Sequence, residues 1–517
     1  MLQNVLVLGS GSAGLMAACS FKRRMPHLNV RIVRSPEIGT IGVGEGTTPL
    51  FPEYLFKTLG ISRKTFYASA RPTWKLGIRY QWGPRDFNFS FSHQLDGKLA
   101  ELPRLNGFYC EEDFSYIDLL SSLMAENKAF PRQDNGGGPE IQHHAFHIEN
   151  ALLVETLEAV ARANGIEFID GKVSGAERGP QGVTAVRLED GRRLEADFFV
   201  DASGFRSELL GKTLEEPFVS YKNALFCDRA IVGGWERRPD EPILPYTTAE
   251  TMDGGWAWQI EHEHFINRGY VFSSDHTSDE DAREEFLRKN PRANKDGRVV
   301  KFRTGRHRRL WVDNVAAIGN AAGFVEPLEA TAIMMVCTQC SLLIDLLDAH
   351  GGRHTPGLRH VYNDYVVDSW DEIRDFLAVH YCFNTRLDTP FWRRCVHETD
   401  VSNVAALIDF YRENGPSNHG RPFLKARANN FGMEGWLVMF LAQGVPHQGR
   451  YAAPPAEKTF WDRYRQHNRA RAQASMDVAE ALSYVHHPAW SWHADTESVP
   501  ATPATRRNVN IFGTSSE

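Results

Sequence analysis

The strongest constraint on the fold is a glycine pattern close to the N-terminus. Gly9, Gly11 and Gly14 have the spacing G-x-G-x-x-G, directly after the apolar segment 4–8 and at the start of a helical pattern that runs to about residue 25. A second apolar segment follows, so the order strand, helix, strand predicts a parallel sheet with a helix on its face. In this context the first glycine makes a tight turn, the second lets the backbone approach a pyrophosphate, and the third lets the helix pack on the strand. The pattern predicts dinucleotide binding; the alternative is a tight turn in a doubly wound fold without a nucleotide.

The residue that ends the second strand bears on which dinucleotide is bound. Arg34 stands where an acidic residue normally holds a ribose hydroxyl, and taken alone it would suggest the 2′-phosphate of NADP, with Glu37 as a possible ribose ligand. Two later strand-to-turn segments, 200–207 and 317–322, favour FAD, because such turns aim helix N-termini at the flavin's ribityl and pyrophosphate groups. The sequence contains no second G-x-G-x-x-G, and therefore no obvious NAD(P)H domain to reduce its own flavin. The predicted cofactor-binding residues of these segments are Gly9, Gly11, Ser12, Ala13, Gly14, Glu37, Asp201, Gly319 and Asn320.

Length and charge exclude several classes of protein. A chain of 517 residues is long enough for two or three structural units. The 58 Lys and Arg residues against 65 Asp and Glu residues give a net charge of −7, which argues against a nucleic-acid or membrane partner, since either would need a basic surface. Seven cysteines are too few for a disulfide scaffold. With no signal-peptide pattern and no apolar stretch near the length of a membrane span, we expect a cytoplasmic protein with reduced thiols.

A β-rich insertion separates the pieces of the dinucleotide-binding module. Residues 73–82 alternate in polarity, and so do 87–91 after a Gly-Pro turn, which predicts a hairpin with one apolar face. On this pattern Lys75 and Arg79 share the opposite face of the first strand. From about residue 340 helical patterns replace strand patterns.

The predicted fold class is α/β with α+β elaboration, consisting of a glutathione-reductase-type, Rossmann-like FAD-binding module, an inserted β-sheet layer and a helical C-terminal subdomain. The predicted boundaries are a flavin-binding and catalytic module over 1–345, a helical substrate cap over 346–493 and a tail over 494–517. Within the module, the flavin pieces are placed at about 1–50, 151–215 and 300–345, and the β-rich layer at about 65–130 and 216–299.

Five segments together resemble the flavin-dependent halogenases, the tryptophan-halogenase-like family. The two specific ones are the Trp-x-Trp-x-Ile motif and the Glu-Pro-Leu-Glu motif. The resemblance extends from residue 9 to about residue 340 and covers the C-terminal third only loosely. The segments are 9–14; 41–49 with Gly42, Val43, Gly44 and Glu45; 74–79 with Lys75; 255–260 with Trp256, Trp258 and Ile260; and 324–331 with Glu329.

The resemblance implies a two-component enzyme. A separate NAD(P)H-dependent flavin reductase supplies reduced FAD, which reacts with oxygen to a flavin hydroperoxide. Bound chloride or bromide attacks that species to give hypohalous acid, which crosses a tunnel to a lysine beside an electron-rich aromatic substrate, indole-like or phenolic. The resemblance also implies that segment 41–49 couples the flavin to the active site, and that the tryptophan pair keeps organic substrate away from the hydroperoxide. It leaves a monomer or a homodimer open.

The same resemblance assigns residue roles. Lys75 matches the essential lysine and Glu329 the catalytic glutamate, while Thr331 and the backbone of Ala332 match the halide site. Val173 and Phe324 complete the predicted cofactor contacts.

The chemistry of these residue types agrees with those roles. Desolvation lowers the pKa of a lysine, and a neutral amine could form a haloamine, whereas a protonated one could polarise hypohalous acid; the sequence leaves both open. Glu329 could orient the oxidant or take the proton that the arene loses. The plain alternatives are a solvated strand lysine and a carboxylate that favours a helix start.

Departures from the family pattern put halide and substrate preference in doubt. They are Glu261 in place of a proline after the tryptophan motif, Ala330 and Ala332 in place of serine and glycine around Thr331, and Arg34. Two rival functions therefore stay open, a flavin monooxygenase that hydroxylates its substrate and a flavin-binding homologue without turnover.

Candidate substrate contacts lie in two aromatic clusters, and the alternative for each is core packing. Three histidines between 143 and 147 match no zinc spacing, so no metal is expected. Cys337 and Cys340 lie on a predicted apolar helix and are expected to be buried cysteines rather than a redox motif. The candidate substrate contacts are His144, Phe146, Trp436 and Phe440.

Overall fold

The predicted strand, helix and strand at the N-terminus form as expected. In a computed structural model, which describes residues 2–35, 37, 44–92, 114–134, 137–294, 297–425 and 427–492, β1 (Asn4–Leu8) and β2 (Asn29–Arg34) are parallel neighbours joined by the helix Ser12–Arg24. They lie in a six-stranded sheet of order β20-β21-β12-β1-β2-β8, in which only β20 runs antiparallel to its neighbour. The other four strands are β8 (Glu167–Asp170), β12 (Phe198–Asp201), β20 (Trp311–Val312) and β21 (Val315–Ala317).

Close packing at the glycine motif explains why these positions have no side chain. A Cβ added to Gly14 would lie 2.0 Å from the Gly9 carbonyl oxygen, so the helix can approach β1 only because residue 14 is glycine. Gly9 has a φ of 109°, and a Cβ there would lie 2.4 Å from the carbonyl oxygen of Ala202, just after β12. A Cβ on Gly11 would meet nothing within 4 Å. The second glycine therefore borders open space, as a turn that admits a ligand requires.

The predicted β-rich layer is a seven-stranded sheet of order β18-β14-β17-β16-β15-β5-β6. Its neighbours are antiparallel except for β15 and β5, which run parallel. Its strands are β5 (Gly77–Gln81), β6 (Phe87–Ser90), β14 (Arg229–Glu236), β15 (Thr247–Met252), β16 (Gly255–Glu261), β17 (Phe265–Phe272) and β18 (Arg298–Lys301).

Three small sheets complete the β structure. The one that matters for the site has the order β3-β7-β4 and consists of β3 (Glu45–Gly46), β7 (Ala145–Ile148) and β4 (Thr73–Lys75). A second contains β9 (Val173–Gly179), β10 (Gly182–Leu188) and β11 (Arg193–Glu195), and a third contains β13 (Phe218–Ser220), β19 (Gly305–His307) and β22 (Gly323–Phe324).

The expectation that Lys75 and Arg79 share one face of a single strand is wrong. The chain leaves β4 at Lys75 and enters β5 at Gly77, and the two strands belong to different sheets. Between them the Leu76 amide donates to the carbonyl of Pro245, which interrupts the alternation. The side chain of Lys75 is consequently buried, whereas that of Arg79 is 35% exposed beside Asp86.

The C-terminal third is helical, as predicted. Its helices are Pro356–Cys382, Pro390–Glu398, Ala405–Asn414, Gly432–Ala442, Pro455–Gln473 and Val478–Val485. Further helices cover Leu50–Glu53, Arg63–Ala70, Leu119–Ala125, Asn150–Ala163, Asp279–Lys289 and Thr331–Ala349. The π-helices are Tyr54–Thr58 and Glu208–Thr213, and the 3-10 turns are Phe114–Tyr116, Gly204–Arg206, Gly319–Ala321, Pro327–Glu329, Ser402–Val404 and Asn418–Phe423. The mixed α/β class is confirmed, while the domain boundaries stay predictions.

One helix corrects the expectation that no segment has the length and apolarity of a membrane span. By length and composition Thr331–Ala349 passes that test, but it packs against the helix Ser12–Arg24 and most of its length is buried in the protein. A core helix has this composition when it is surrounded by other elements. Cys337 and Cys340 lie on it with both thiols buried and free, as expected.

Gly14→Ala should destabilise the fold by about 1–3 kcal/mol, because its methyl group would be forced against the Gly9 carbonyl. Gly11→Ala is the matched control: its φ of −74° suits alanine and its Cβ meets open space, so its free energy of unfolding should stay within about 1 kcal/mol of wild type. Urea unfolding of the two variants measures the difference, and equal stabilities would contradict this packing argument.

Candidate active site

The start of the helix Ser12–Arg24 is suited to hold the phosphates of a dinucleotide. Its N-cap residue, Gly11, makes no side-chain cap hydrogen bond, so the first amides of the helix are uncapped on the side where Gly11 leaves space. The Ser12 hydroxyl donates to Asn150 Oδ1 at 3.1 Å, and Asn150 Nδ2 donates to Glu45 Oε1 at 3.3 Å. Through Asn150, these two hydrogen bonds link the predicted cofactor residues Ser12 and Glu45. The residues present therefore fit a dinucleotide.

The two later turns lie against the same helix. A Cβ on Gly319, whose φ is 63°, would lie 2.9 Å from Ala13 Cβ, so the turn after β21 packs directly on the glycine motif. The carboxylate of Asp201 is buried and accepts the amides of Leu209 and Leu210 at 2.8 and 2.9 Å. It thus holds the turn after β12 in shape, and a direct cofactor contact by Asp201 stays a prediction.

The remaining predicted cofactor residues occupy varied surroundings. Asn320 lies in the 3-10 turn Gly319–Ala321, Val173 opens β9, and Phe324 in β22 packs edge-on against Phe205 with centroids 5.0 Å apart. Glu37 is exposed, and Gly42 and Val43 lie outside the described residues.

Arg34 has partners within the protein. Its Nε donates to Asp170 at 2.6 Å and its Nη1 to Glu158 at 2.8 Å, which raises the pKa of the guanidinium. The group also lies 5.3 Å from the centroid of the Phe168 ring. The two carboxylates compensate the charge of Arg34 within the protein, so an arginine at this position does not require the 2′-phosphate of NADP.

Residues 44–46 run from the dinucleotide-binding module to the inserted sheet. A Cβ on Gly44 would lie 2.7 Å from His262 Nε2, so the backbone passes directly over the end of β16. Glu45 points back to Asn150, and burial raises its pKa to about 7. A Cβ on Gly46 would lie 3.3 Å from Lys75 Nζ. Three successive residues therefore contact both parts of the predicted site.

Lys75 is a charged residue in an apolar interior. It is completely buried, and its Nζ has no hydrogen-bond partner among the described residues. Burial lowers its pKa to about 7, and the nearby Glu329 carboxylate opposes that shift. The ring of Phe91 lies 5.3 Å from Nζ. An amine that is partly neutral near pH 7 and has no fixed partner is available for chemistry.

Polar side chains from two other strands border the same amine. A Cβ on Gly46 would lie 3.3 Å from both Lys75 Nζ and Thr247 Oγ1, and 3.6 Å from Ala330 Cβ. The Thr247 hydroxyl is hydrogen-bonded to His147 Nε2 at 2.8 Å. Burial lowers the pKa of that imidazole, and the charge of Lys75 lowers it further. Among the described residues, Glu329 is the carboxylate whose charge acts on the pKa of Lys75.

Glu329 is held by two side chains that bind the same oxygen. Tyr80 donates its hydroxyl to Oε1 at 2.5 Å, and His380 Nε2 lies 2.8 Å from the same atom. Glu329 ends the 3-10 turn Pro327–Glu329, which comes directly before the helix Thr331–Ala349. No hydrogen bond from the described residues reaches Oε2. One carboxylate oxygen is thus fixed and the other is left for a reacting molecule.

The tryptophan pair lines the buried face of β16. Trp256, Trp258 and Ile260 alternate along the strand and are each at most 6% exposed. Trp256 Nε1 donates to Glu326 at 3.2 Å, and the hydroxyl of Tyr381 donates to the same carboxylate oxygen at 2.7 Å. Burial raises the pKa of Glu326 to about 7. The first tryptophan is therefore anchored to the segment that carries Glu329.

Thr331 has the surroundings expected of an anion site. Its side chain is buried, and its hydroxyl has no hydrogen-bond partner within the described ranges. It begins the helix Thr331–Ala349, whose N-cap residue, Ala330, has a φ of 55° and provides no side-chain cap. The uncapped amides of Thr331 and Ala332 and the free hydroxyl can together hold a halide ion.

The predicted substrate contacts are divided between two places. Trp436 and Phe440 are buried on the helix Gly432–Ala442, and Trp436 packs edge-on against Phe376, which packs in turn against His380. Trp436 therefore belongs to the aromatic wall behind Glu329.

Phe146 and His144 lie elsewhere. In β7, Phe146 is paired with Trp74, whereas its neighbour Ala145 is paired with Lys75, so Phe146 lies on the opposite face of the small sheet from the amine. Its ring packs among Phe66, Tyr67 and His144. The structure does not bring these two residues next to Lys75.

Glu261 is compensated within the protein. It is 1% exposed and forms an ion pair with Arg237, and it also accepts from Gln259 Nε2 at 2.7 Å. The polar residue at this position therefore changes the rim of β16 without leaving an isolated buried charge. Among the described residues no three His, Cys, Asp or Glu side chains form a group that could hold a metal.

Sequence reasoning missed Tyr80, His380, His147, Thr247 and Glu326 as site residues. Tyr80 follows the alternation that predicts an apolar face, and only the break at Leu76 turns its hydroxyl toward Glu329. Glu326 lies in the quoted Glu-Pro-Leu-Glu motif, which was the one available signal.

Comparisons with known proteins identify the family. The family model of the tryptophan halogenases matches residues 4–458. The tryptophan 7-halogenase KtzQ of Kutzneria sp. (strain 744) is 32% identical over 80% of this chain and 82% of its own length, and the tryptophan 6-halogenase SttH of Streptomyces toxytricini is 31% identical over 81% and 87%. Among solved structures, MibH, a lathipeptide tryptophan 5-halogenase, superposes with a TM-score of 0.84 at 36% identity and covers 94% of each chain.

Lys75→Met should stabilise the protein more at pH 6 than at pH 9. Because the pKa of Lys75 falls to about 7 in the folded protein from about 10.4 in the unfolded chain, the wild type loses stability as pH falls between those values, and methionine removes this loss. The gain in free energy of unfolding should be larger at pH 6 by about 2–3 kcal/mol. Urea unfolding at both pH values measures it.

The control for this prediction is Lys212→Met. That lysine is 59% exposed and pairs with Glu208 on the surface, so its effect on stability should be small and nearly the same at both pH values. An equal gain at pH 6 and pH 9 for Lys75→Met would show that the amine is solvated.

Proposed function

This chain belongs to the tryptophan halogenase family, a family of flavin-dependent enzymes that halogenate aromatic substrates, and from that premise we propose that Lys75 and Glu329 are its catalytic residues. The observation that carries the proposal is the buried Lys75 amine, which has no hydrogen-bond partner in the described part of the chain and lies close enough to Glu329 to interact with its charge. A lysine with only a structural role would have a carboxylate or carbonyl partner bound to it.

The cofactor we propose is FAD, supplied in its reduced form by a separate NAD(P)H-dependent flavin reductase. When bound, reduced FAD would supply two of the four electrons that reduce oxygen, and chloride or bromide would supply the other two, so that hypohalous acid and water form. The helix start after Gly11 and the turn at Gly319 would hold its phosphates and ribityl group, and Thr331 with the amide of Ala332 would hold the halide. We expect a cytoplasmic monomer or homodimer. The lone G-x-G-x-x-G in the sequence supports reduction in trans.

The halogen transfer can be written so that its atoms balance. An arene C–H bond and hypohalous acid give a carbon–halogen bond and water: the ring's π electrons attack the halogen, the oxygen leaves as hydroxide and takes a proton from Lys75 or solvent to become water, and the C–H electron pair restores the aromatic ring. Lys75 in its protonated form donates a hydrogen bond to the hypohalous acid, and in its neutral form it can itself carry the halogen. Glu329 takes the proton at Oε2, the oxygen that Tyr80 and His380 do not bind.

The substrate we propose is an indole, with phenols as the second class. Phe91 beside Lys75 offers a flat apolar surface on which an aromatic ring can stack. The names of all three relatives reported above specify tryptophan, one of them in a peptide, so free and peptide-borne indoles both belong in the assay. Mass spectrometry of indoles, tryptophan peptides and phenols, with a supplied reductase and each halide, identifies the product.

Lys75→Ala should abolish the halogenated arene while oxygen consumption by reduced FAD continues, because the amine is needed after the halide has been oxidised. The measurement pairs product mass with the rate of flavin oxidation, and Lys212→Ala is the control. A product that gains oxygen whether or not halide is present would make the protein a monooxygenase. Wild-type halogenation by Lys75→Ala would disprove the assignment.

Gly46→Val should reduce halogenation of the arene without reducing oxidation of the halide. Its side chain would occupy the space between Lys75 Nζ, Thr247 Oγ1 and Ala330 Cβ, so the halogenated arene should fall about 10- to 100-fold. A small trap such as monochlorodimedone, reached by hypohalous acid that leaves the protein, should still be halogenated. Gly175→Val is the control, since a Cβ at residue 175 meets nothing within 4 Å. Loss of both products, or of neither, would contradict this path.

A further inference from the structure

We propose that His380 is a positioning residue that shares a single proton with Glu329, so that the two side chains act as one base during halogenation. The inference rests on the proposed function of Glu329. His380 lies on the helix Pro356–Cys382, outside the five motif segments, and its side chain is completely buried.

The hydrogen-bond partners of His380 determine where its protons are. Nδ1 lies 2.7 Å from the carbonyl oxygen of Phe376, and a carbonyl can only accept, so Nδ1 carries a hydrogen. In a neutral imidazole the other nitrogen, Nε2, then has a lone pair. Nε2 nevertheless lies 2.8 Å from Glu329 Oε1, a carboxylate oxygen that also has only lone pairs when ionised. A second proton must therefore lie between Nε2 and Oε1.

The position of this proton decides whether Glu329 can act as a base. On Nε2 it makes an imidazolium–carboxylate pair, and Oε2 is free to accept a proton. On Oε1 it makes a neutral acid, which is a far weaker acceptor. Tyr80 also donates to Oε1, which favours negative charge on that oxygen and hence the proton on Nε2. Both donors bind Oε1, so Oε2 is the oxygen of this buried carboxylate that is left to accept a proton.

The surroundings of the pair contain few other titratable groups. Tyr80 faces the ring from β5 with centroids 5.3 Å apart, Phe376 packs on it from the same helix, and Lys75 lies beyond Glu329. The backbone carbonyl of His380 accepts from Trp82 Nε1 at 2.9 Å, which fixes the helix at this residue. A proton taken up by Glu329 therefore has His380 as its one neighbouring imidazole in the described part of the site.

The proposed step conserves protons. Glu329 accepts the arene proton at Oε2 while His380 keeps its proton on Nε2, bonded to Oε1. The carboxylic acid that forms returns its proton to solvent after the product leaves. Without the imidazolium, Glu329 would have only Tyr80 as a donor, and removal of the arene proton would slow down.

The test compares His380→Gln with wild type on an indole carrying deuterium at the reacting carbon. Glutamine can still donate an N–H to Glu329 but cannot hold a positive charge. The rate of arene halogenation should fall about 10-fold or more, and the deuterium isotope effect should rise above the wild-type value, because proton removal becomes slower. Hypohalous acid trapped by monochlorodimedone should form at the wild-type rate.

Two further variants separate this role from packing. Tyr80→Phe removes a donor to the same Oε1 but no charge, so its isotope effect should rise less than that of His380→Gln. Cys382→Ala, two residues along the same helix, should leave both the rate and the isotope effect unchanged. A wild-type rate in His380→Gln, or a slower rate with an unchanged isotope effect, would overturn the proposal.

A measurement on the wild type covers the case in which His380→Gln does not fold. Nitrogen-15 labelling of histidine should give a ring whose Nδ1 is protonated and whose Nε2 shift lies toward the imidazolium value, and a His380 Nδ1 without hydrogen would overturn the proposal. Failure of the wild type to halogenate any arene, while the trap is halogenated, would instead count against the proposed substrate class and Glu329 as its base.

Discussion

The burial of one amine is the constraint around which the site is arranged. Moving a lysine out of water without a hydrogen-bond partner costs several kcal/mol, and a fold retains such a group only when the surrounding elements hold it rigidly. Lys75 is enclosed by a strand of the small sheet, by Thr247 from the large sheet and by the turn that carries Glu329. Its pKa near 7 follows from this enclosure, since Glu329 offsets only part of the desolvation. The amine is therefore reactive because these elements converge on it and exclude water.

The parts of the fold that could be predicted from the sequence are those whose signals are local. The glycine motif is local because Gly9 and Gly14 meet backbone just after β12 or within the motif and Gly11 borders open space, and the helical C-terminal third shows in its periodicity. Lys75, Glu329 and the tryptophan pair were found through short motifs, and the roles assigned to them stay predictions.

What could not be predicted depends on contacts between distant segments. Tyr80 lies on an uninterrupted alternating pattern, and nothing local marks the change of sheet at Leu76. His380 is 51 residues from Glu329 and occurs in a helix where a buried histidine is unremarkable in sequence. Glu261 departed from the family pattern, but its partner Arg237 comes from another strand connection. Each of these required knowing which elements meet in space.

The helix Pro356–Cys382 makes contacts near both of its ends. Asn363 accepts the amides of Leu310 and Trp311 at 2.7 and 2.9 Å, at the edge of the six-stranded sheet, and seventeen residues later His380 reaches Glu329. One residue inserted between Asn363 and His380 would rotate the two parts of the helix relative to each other by about 100°, so that one of the two side chains would lose its contact. In the evolution of such a chain, this stretch can change by substitution but not in length. Insertions that leave both contacts in place have to lie before Asn363 or after His380.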